Sequence, residues 1–289
     1  MPFTLSVNVP TYNRHSAFYG FVDHFAEAVA NCSPSMLNGI SINVIDNCST
    51  DIHLKASYFF ARLASFNIQK QFFKQESNIG GDRNIIAAYG MSVQSEFTMV
   101  AGDDDYLSPD ALQLSLELIR TYGDRASIFL HTRNAHTTVY SSLCSLIRDL
   151  GEAGKLFDVI EMCHITNPIF RQHLFSQSAA RQDIDRSEYL ATHACFSHAR
   201  GLLHGYLRGN NSSIGIIPFE RFSSPNGLRD IDPEVASAPA SLGSRIYGIY
   251  RSFIFWLLSE TRISLKECLT YCQLDQRMHW IFSSVSTEY

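Results

Sequence analysis

The sequence predicts an α/β fold: a mostly parallel sheet with helices on both faces, followed by a less regular second part. Two observations predict it. Through the first 125 residues, short β-branched or apolar runs alternate with helix-like segments, the pattern of repeated strand–helix crossovers. The chain has 289 residues and 45% hydrophobic content, ample for a sizeable core in one large domain or two small ones.

The elements follow in order. Residues 3–9 form the first strand and residues 16–31 its helix, after which residues 41–45 form a second strand that ends at Asp46. Residues 51–65 are the second helix and 68–73 the third strand, and a helix over 82–93 begins just after Gly80 and Gly81. The fourth strand, 97–100, stops at Gly102 and three aspartates. Ser108 reads as an N-cap with Pro109 at the first helical position, opening a helix through Arg120 that Gly123 stops. One more strand covers 127–131.

Residues 1–125 therefore make one half. Beyond it the periodicity weakens, and Gly, Ser, Asn and Pro cluster at 209–213 and 223–239, so residues 126–245 are expected to be loop-rich and to shape an acceptor cleft. Residues 246–289 are apolar with helical spacing. Their most apolar stretch, 246–258, is about 13 residues long and carries Arg251, whereas a bilayer span needs about 20. It is expected as a core helix or one resting on a membrane surface.

A formal net charge of -5 with scattered basic residues argues against a nucleic-acid partner. The seven cysteines (Cys32, Cys48, Cys144, Cys163, Cys195, Cys268, Cys272) show no C-x-x-C pair and read as reduced thiols. The N-terminus runs into a strand without the regions of a signal peptide, so the sequons at Asn31, Asn47 and Asn211 are read as chance. The expected location is the cytoplasm, at the inner face of the membrane if the apolar tail makes a peripheral contact there.

Ligands of an open parallel sheet bind at the carboxyl ends of its strands. Three segments would line that edge: Pro10-Thr11-Tyr12-Asn13-Arg14, then Asp46-Asn47-Cys48-Ser49-Thr50-Asp51, then Gly102-Asp103-Asp104-Asp105. Three consecutive carboxylates repel one another unless something positive sits among them. Their hard oxygens suit Mg²⁺ or Mn²⁺, with phosphate completing the shell. A Gly-Gly pair before a helix permits close backbone approach to phosphate, and Arg83 one turn in could meet a phosphate or ribose. Taken singly, each feature is also ordinary turn, cap or solvated-loop chemistry. Their joint arrangement at successive strand ends raises the odds of a ligand site.

The strings Leu5-Ser6-Val7-Asn8-Val9-Pro10-Thr11-Tyr12-Asn13-Arg14 and Val44-Ile45-Asp46-Asn47-Cys48-Ser49-Thr50-Asp51 resemble family 2 glycosyltransferases with the GT-A fold. Asn78-Ile79-Gly80-Gly81-Asp82-Arg83-Asn84 and Gly102-Asp103-Asp104-Asp105-Tyr106-Leu107 resemble its abequosyltransferase-like branch, over about residues 3–125. That resemblance implies a donor site in which Thr11 and Asp46 contact the base, Pro10 and Tyr12 wall its pocket with Asn13 beside them, Arg83 meets the base or diphosphate, and Asp103 meets the ribose. In the family's commoner pattern an aspartate stands where Gly102 sits here. Asp104 is then the first-ranked ligand of Mn²⁺ or Mg²⁺, and Asp105 the second.

The implied partners are a nucleotide-diphosphate sugar donor and a saccharide or lipid-linked saccharide acceptor, as in bacterial surface polysaccharide synthesis. The family's Glu-Asp pair after the metal motif is absent. An inverting transfer needs a base near the acceptor hydroxyl, and the candidates are Asp183, Asp185, Glu188 and His193. Two alternatives stay open. One is a nucleotidyltransferase, though the segment after the first strand is poor in glycine; the other is a catalytically inactive nucleotide-sugar-binding protein.

Overall fold

The computed structural model of the chain describes residues 4–91, 95–132, 138–155, 168–189, 197–208, 213–218, 222–223 and 263–274. Strands β1 (Leu5–Thr11), β2 (Ile40–Asp46), β3 (Gln69–Lys74) and β4 (Phe97–Val100) alternate with helices α1 (His15–Asn31), α2 (Pro34–Leu37), α3 (Ile52–Arg62) and α4 (Gly81–Tyr89). Then come β5 (Tyr106–Leu107), α5 (Ala111–Tyr122), β6 (Ala126–Thr132), β7 (Thr138–Tyr140), α6 (Leu143–Glu152) and β8 (Ile169–Arg171). The remaining described elements are a single 3-10 turn (Gln172–Leu174), α7 (Gln177–Tyr189), α8 (Ser197–Arg208), β9 (Ser213–Pro218), β10 (Phe222–Ser223) and α9 (Leu265–Leu274).

Eight strands form one sheet in the order β3-β2-β1-β4-β8-β6-β9-β7. β3, β2, β1 and β4 run parallel, and β8 is antiparallel to both β4 and β6. β1 has β2 on one side and β4 on the other, so the chain order reverses between β1 and β4. That reversal opens a crevice at their carboxyl ends, where such sheets bind ligands.

The sheet continues through residue 125, so the second part shares the first part's scaffold. It also holds more regular structure than its turn-rich composition suggests. β7 and β8 are three residues each, too short to register as a periodic pattern. The first strands, helices and the fourth strand lie within a few residues of their expected bounds. One start differs: Ser108 is not the N-cap. After β5 pairs with β10 the chain turns, with the Ala111 N–H donating to the Ser108 carbonyl at 2.9 Å, and α5 begins only at Ala111. The apolar stretch 246–258 lies outside the described residues.

Alternation along the strands gives the sheet two different faces. Leu5, Val7, Val9, Ile40, Ile42, Val44, Phe97 and Met99 pack with Phe18, Phe21 and Phe25 of α1, Phe59 of α3 and Leu112, Leu116 and Ile119 of α5. The opposite face carries Ser6, Asn8, Asn43 and Thr98, all buried. Buried polar groups must find partners. Ser6 Oγ donates to Asn8 Oδ1 at 2.8 Å, and Asn43 Nδ2 donates to Ser6 Oγ at 2.7 Å and to Asn8 Oδ1 at 2.9 Å.

This polar face holds α4. Asn8 Nδ2 donates to the Ala88 carbonyl at 2.8 Å, and Gln172, just after β8, donates to the Tyr89 carbonyl at 3.2 Å. Both bonds satisfy carbonyls that the end of a helix leaves without intrahelical partners. Near the other end, Asn84 Nδ2 donates to the carbonyl of Ile45 on β2 at 3.1 Å. Three side-chain amides thus fix the helix along its length, and with it the Gly80–Gly81 start.

Replacing Asn8 by alanine strips the side-chain partner from the Ala88 carbonyl and the acceptor from Ser6 Oγ, and leaves Asn43 Nδ2 with Ser6 alone. Asn8→Ala is expected to lower unfolding free energy by about 1–3 kcal/mol in urea titrations. An unchanged midpoint and slope would show that the polar face does not contribute to stability.

Candidate functional site

The loops after β1 and β2 are laced together. The Asn47 N–H donates to the Thr11 carbonyl at 2.9 Å, the Asn13 N–H to Ser49 Oγ at 2.9 Å, and the Thr50 N–H to Asn13 Oδ1 at 3.0 Å. Asn13 and Cys48 both sit at positive φ, 53° and 67°. Asparagine tolerates that region; a cysteine there needs the surrounding bonds to hold it.

Asp46 is fully buried, with its Oδ1 accepting from the Ser49 N–H at 2.7 Å and its Oδ2 from Ser49 Oγ at 2.6 Å. Its carboxylate shapes the turn as an Asx motif rather than standing open at the surface. Asn47 extends the lacing to the next loop, donating to Asn78 Oδ1 at 2.8 Å and accepting from the Ile79 N–H at 2.9 Å. Gly80 then enters α4 at φ 86°, a conformation that a side chain would strain.

The acidic loop meets β1 across the crevice. Asp103 is 0% exposed; Thr11 Oγ1 donates to its Oδ2 at 2.6 Å, and Arg14 Nη2 donates to its Oδ1. The second arm of the same guanidinium, Nη1, donates to Asp104 Oδ2 at 2.7 Å. Beneath them Lys55, from α3, is also 0% exposed: its Nζ donates to Thr11 Oγ1 at 3.1 Å and Ser49 Oγ at 3.2 Å, and lies 3.7 Å from Asp46 Oδ2. Burial pushes the Asp103 carboxyl up to about 6 although Arg14 and Thr11 pull it down, and burial lowers Lys55 although Asp46, Asp51 and Asp103 favour its charge.

Gly102 leaves open the space toward which the next carboxylates turn. A Cβ there would meet Asp105 Oδ2 at 2.7 Å and Asp104 Oδ1 at 3.0 Å. The two carboxylates therefore converge on space that an aspartate at 102 would fill. Oxygen donors so placed fit Mg²⁺ or Mn²⁺. Among the described residues no three His, Cys, Asp or Glu side chains form a ready-made metal set. Tyr106 anchors the far end of the loop on α1, its ring 4.6 Å from that of His24.

The expected site residues divide accordingly. Thr11, Asn13, Asp103, Asp104 and Asp105 share the crevice between β1 and β4, and Tyr12 stands exposed at its rim. Pro10 is buried inside β1, opposite Ile45. Arg83, at the first turn of α4, faces Asp185 of α7 at 3.4 Å between Nη2 and Oδ1. Asp183 instead ties α7 to α8 by accepting from Ser197 Oγ and Arg200. Glu188 lies on α7 one turn beyond Asp185, its side chain outside the described residues, as is His193.

The sequence placed Arg14, Asn47 and Ser49 in the segments lining this edge without giving them a role, and Lys55 was missed altogether. Lys55 had a signal: it falls with Ile52 and Phe59 on the buried face of α3, a place where an ammonium needs partners.

No protein-family model matches the chain, and no curated protein matches it by sequence. In structure it is similar to S. aureus TarS 1-349 in complex with UDP, with a TM-score of 0.55 and 17% identity, covering 98% of this chain and 73% of that one. It is also similar to the mannosyltransferase PcManGT from Pyrobaculum calidifontis in complex with GDP-Man and Mn²⁺, with a TM-score of 0.52 and 10% identity, covering 99% of this chain and 75% of that one. The sheet order, the helices on both faces and these likenesses agree: the chain has the fold of the GT-A glycosyltransferases.

Proposed function

We propose that this chain is a metal-dependent, inverting glycosyltransferase that moves a sugar from a nucleotide-diphosphate donor to an acceptor hydroxyl. The observation that carries the reading is the meeting of Thr11, Arg14 and the 102–105 acidic loop at the reversal point of the sheet, with Asp104 Oδ1 and Asp105 Oδ2 both turned to the space over Gly102. Structural neighbours determined with UDP and with GDP-Man and Mn²⁺ support it.

In this reading Tyr12 and the 46–49 turn border the base, with Asp46 acting through the turn it holds. Asp103, 0% exposed with its oxygens on Thr11 and Arg14, holds the acidic loop in place rather than meeting the ribose, and Asp104 and Asp105 hold the cation. A bound divalent cation supplies charge neutralisation on the diphosphate leaving group. The start of α4 and Arg83 add positive potential nearby.

The acceptor oxygen attacks the anomeric carbon as the bond to the diphosphate breaks, and its proton passes to a carboxylate on the α7 face that carries Asp185 and Glu188. A single displacement of this kind inverts the anomeric centre. The acceptor is a saccharide or lipid-linked saccharide, following the resemblance to the abequosyltransferase-like branch. Among the described residues no helix is long and apolar enough to cross a membrane.

Thermal unfolding with UDP, dTDP, GDP and CDP, each with and without Mn²⁺, tests the donor site, because a ligand bound only to the native state stabilises it by about 2.7 kcal/mol at a hundredfold excess over Kd. One nucleotide is expected to raise the melting temperature in a Mn²⁺-dependent way. Asp104→Ala should abolish the Mn²⁺ dependence while leaving the ligand-free melting temperature unchanged within about 1 °C, since an exposed carboxylate carries little packing. No response to any nucleotide would sink the donor-site reading.

For the base, Asp185→Asn and Glu188→Gln are to be compared by turnover and by nucleotide affinity. The true base should lose about 10²–10⁴-fold in kcat with nucleotide affinity intact. Nucleotide binding without turnover in the unmodified protein would favour the inactive binding protein instead.

A further inference from the structure

We infer that Arg14 is a donor-binding residue held in reserve: in the free protein its guanidinium bridges Asp103 and Asp104, and on donor binding its outer arm passes from Asp104 to the diphosphate. The inference rests on the nucleotide-sugar reading above and adds to it a residue and a binding order.

The two arms of Arg14 are in unequal situations. Nη2 is on Asp103, which is fully buried and whose other oxygen is fixed by Thr11. Nη1 is on Asp104, 51% exposed, and the Arg14 side chain is itself 45% exposed. The inner pair is sheltered; the outer one faces water, where ion pairs are weak and screened. The outer arm is therefore the one that can exchange partners cheaply while the inner arm keeps the side chain in place.

Charge gives the exchange its direction. Arg14 occupies Asp104 Oδ2, while Asp104 Oδ1 is turned with Asp105 Oδ2 toward the space over Gly102. A divalent cation on that oxygen pair would share the Asp104 carboxylate with a guanidinium, and the two like charges repel. Arg14 therefore weakens the binding of the cation alone. A diphosphate reverses the sign: its oxygens offer the planar guanidinium paired acceptors and bridge it to the cation. Nucleotide and cation should then bind cooperatively, each raising the other's affinity by the same factor.

The experiment measures two constants for the wild-type chain, Arg14→Met and Arg14→Lys. These are the Kd of Mn²⁺ alone, by electron paramagnetic resonance of the free ion, and the Kd of the nucleoside diphosphate that binds the wild type, at saturating Mn²⁺. Arg14→Met should bind Mn²⁺ alone roughly three- to tenfold more tightly and the nucleotide at least tenfold more weakly, from the loss of one exposed ion pair and one charge-assisted phosphate contact.

A purely structural brace would move both constants toward weaker binding, and an idle side chain would move neither; either result overturns the inference. If Arg14→Met does not fold, Arg14→Lys decides. A single ammonium cannot bridge both carboxylates, so Mn²⁺ alone should bind about two- to threefold more tightly while nucleotide affinity stays within about threefold of wild type; weakening of both overturns the proposal. Failure of the wild type to bind any of the four nucleotides would overturn the donor-site reading itself, an outcome distinct from a null effect at Arg14.

Discussion

The structure depends on one chain of polar and charged groups, buried from Lys55 to Asp103 and reaching the surface at Arg14. Lys55 donates to Thr11, Thr11 donates to Asp103, and Asp103 accepts from Arg14. These bonds cross from α3 to the end of β1 and on to the loop after β4, the two strands between which the sheet reverses order. Removing water from a lysine and an aspartate is costly, and the cost is offset only if every proton and lone pair is met. Ser49 and Asp46 complete that requirement on the other side of Lys55. The result is a crevice floor whose polar atoms are already committed to one another, so their positions are set before any ligand arrives.

What the sequence made legible follows from where its signals are local. Strands such as Leu5–Thr11 announce themselves by β-branched residues and by the turn chemistry that follows them, and the acidic run announces itself by repulsion. The pairing of Arg14 with Asp103 was not legible, because 89 residues separate them and only the sheet order brings them together. Asp46 was read as a ligand-facing carboxylate; the structure turns both its oxygens onto Ser49, three residues on, a choice that depends on the loop's geometry. The second part was the least legible: its described strands after β6 are two to six residues long and draw their pairing from β4, β5, β6 and one another rather than from local pattern.

The likeness to TarS and PcManGT at identities of 17% and 10% shows how little side-chain identity this architecture requires. An alternating pattern suffices to place β1, β2 and β4 side by side. At the end of β4 the loop opens with Gly102, where a side chain would meet the carboxylates that follow. Its missing side chain leaves the Asp104 and Asp105 carboxylates room to turn toward each other.

Helix α4 has a mechanical meaning beyond its anchoring bonds. It is a strut of nine residues, about 13 Å long at 1.5 Å per residue, whose tail is clamped by Asn8 and Gln172 and whose flank, at Ile86, packs on Ala180 and Ile184 of α7. Its head is the Gly80–Gly81 turn, beside the loop after β2, whose Asn47 donates to the Gly80 carbonyl. Packed interiors transmit displacement rather than absorb it. A load on α7 therefore bears on the same strut that sets the Gly80–Gly81 end.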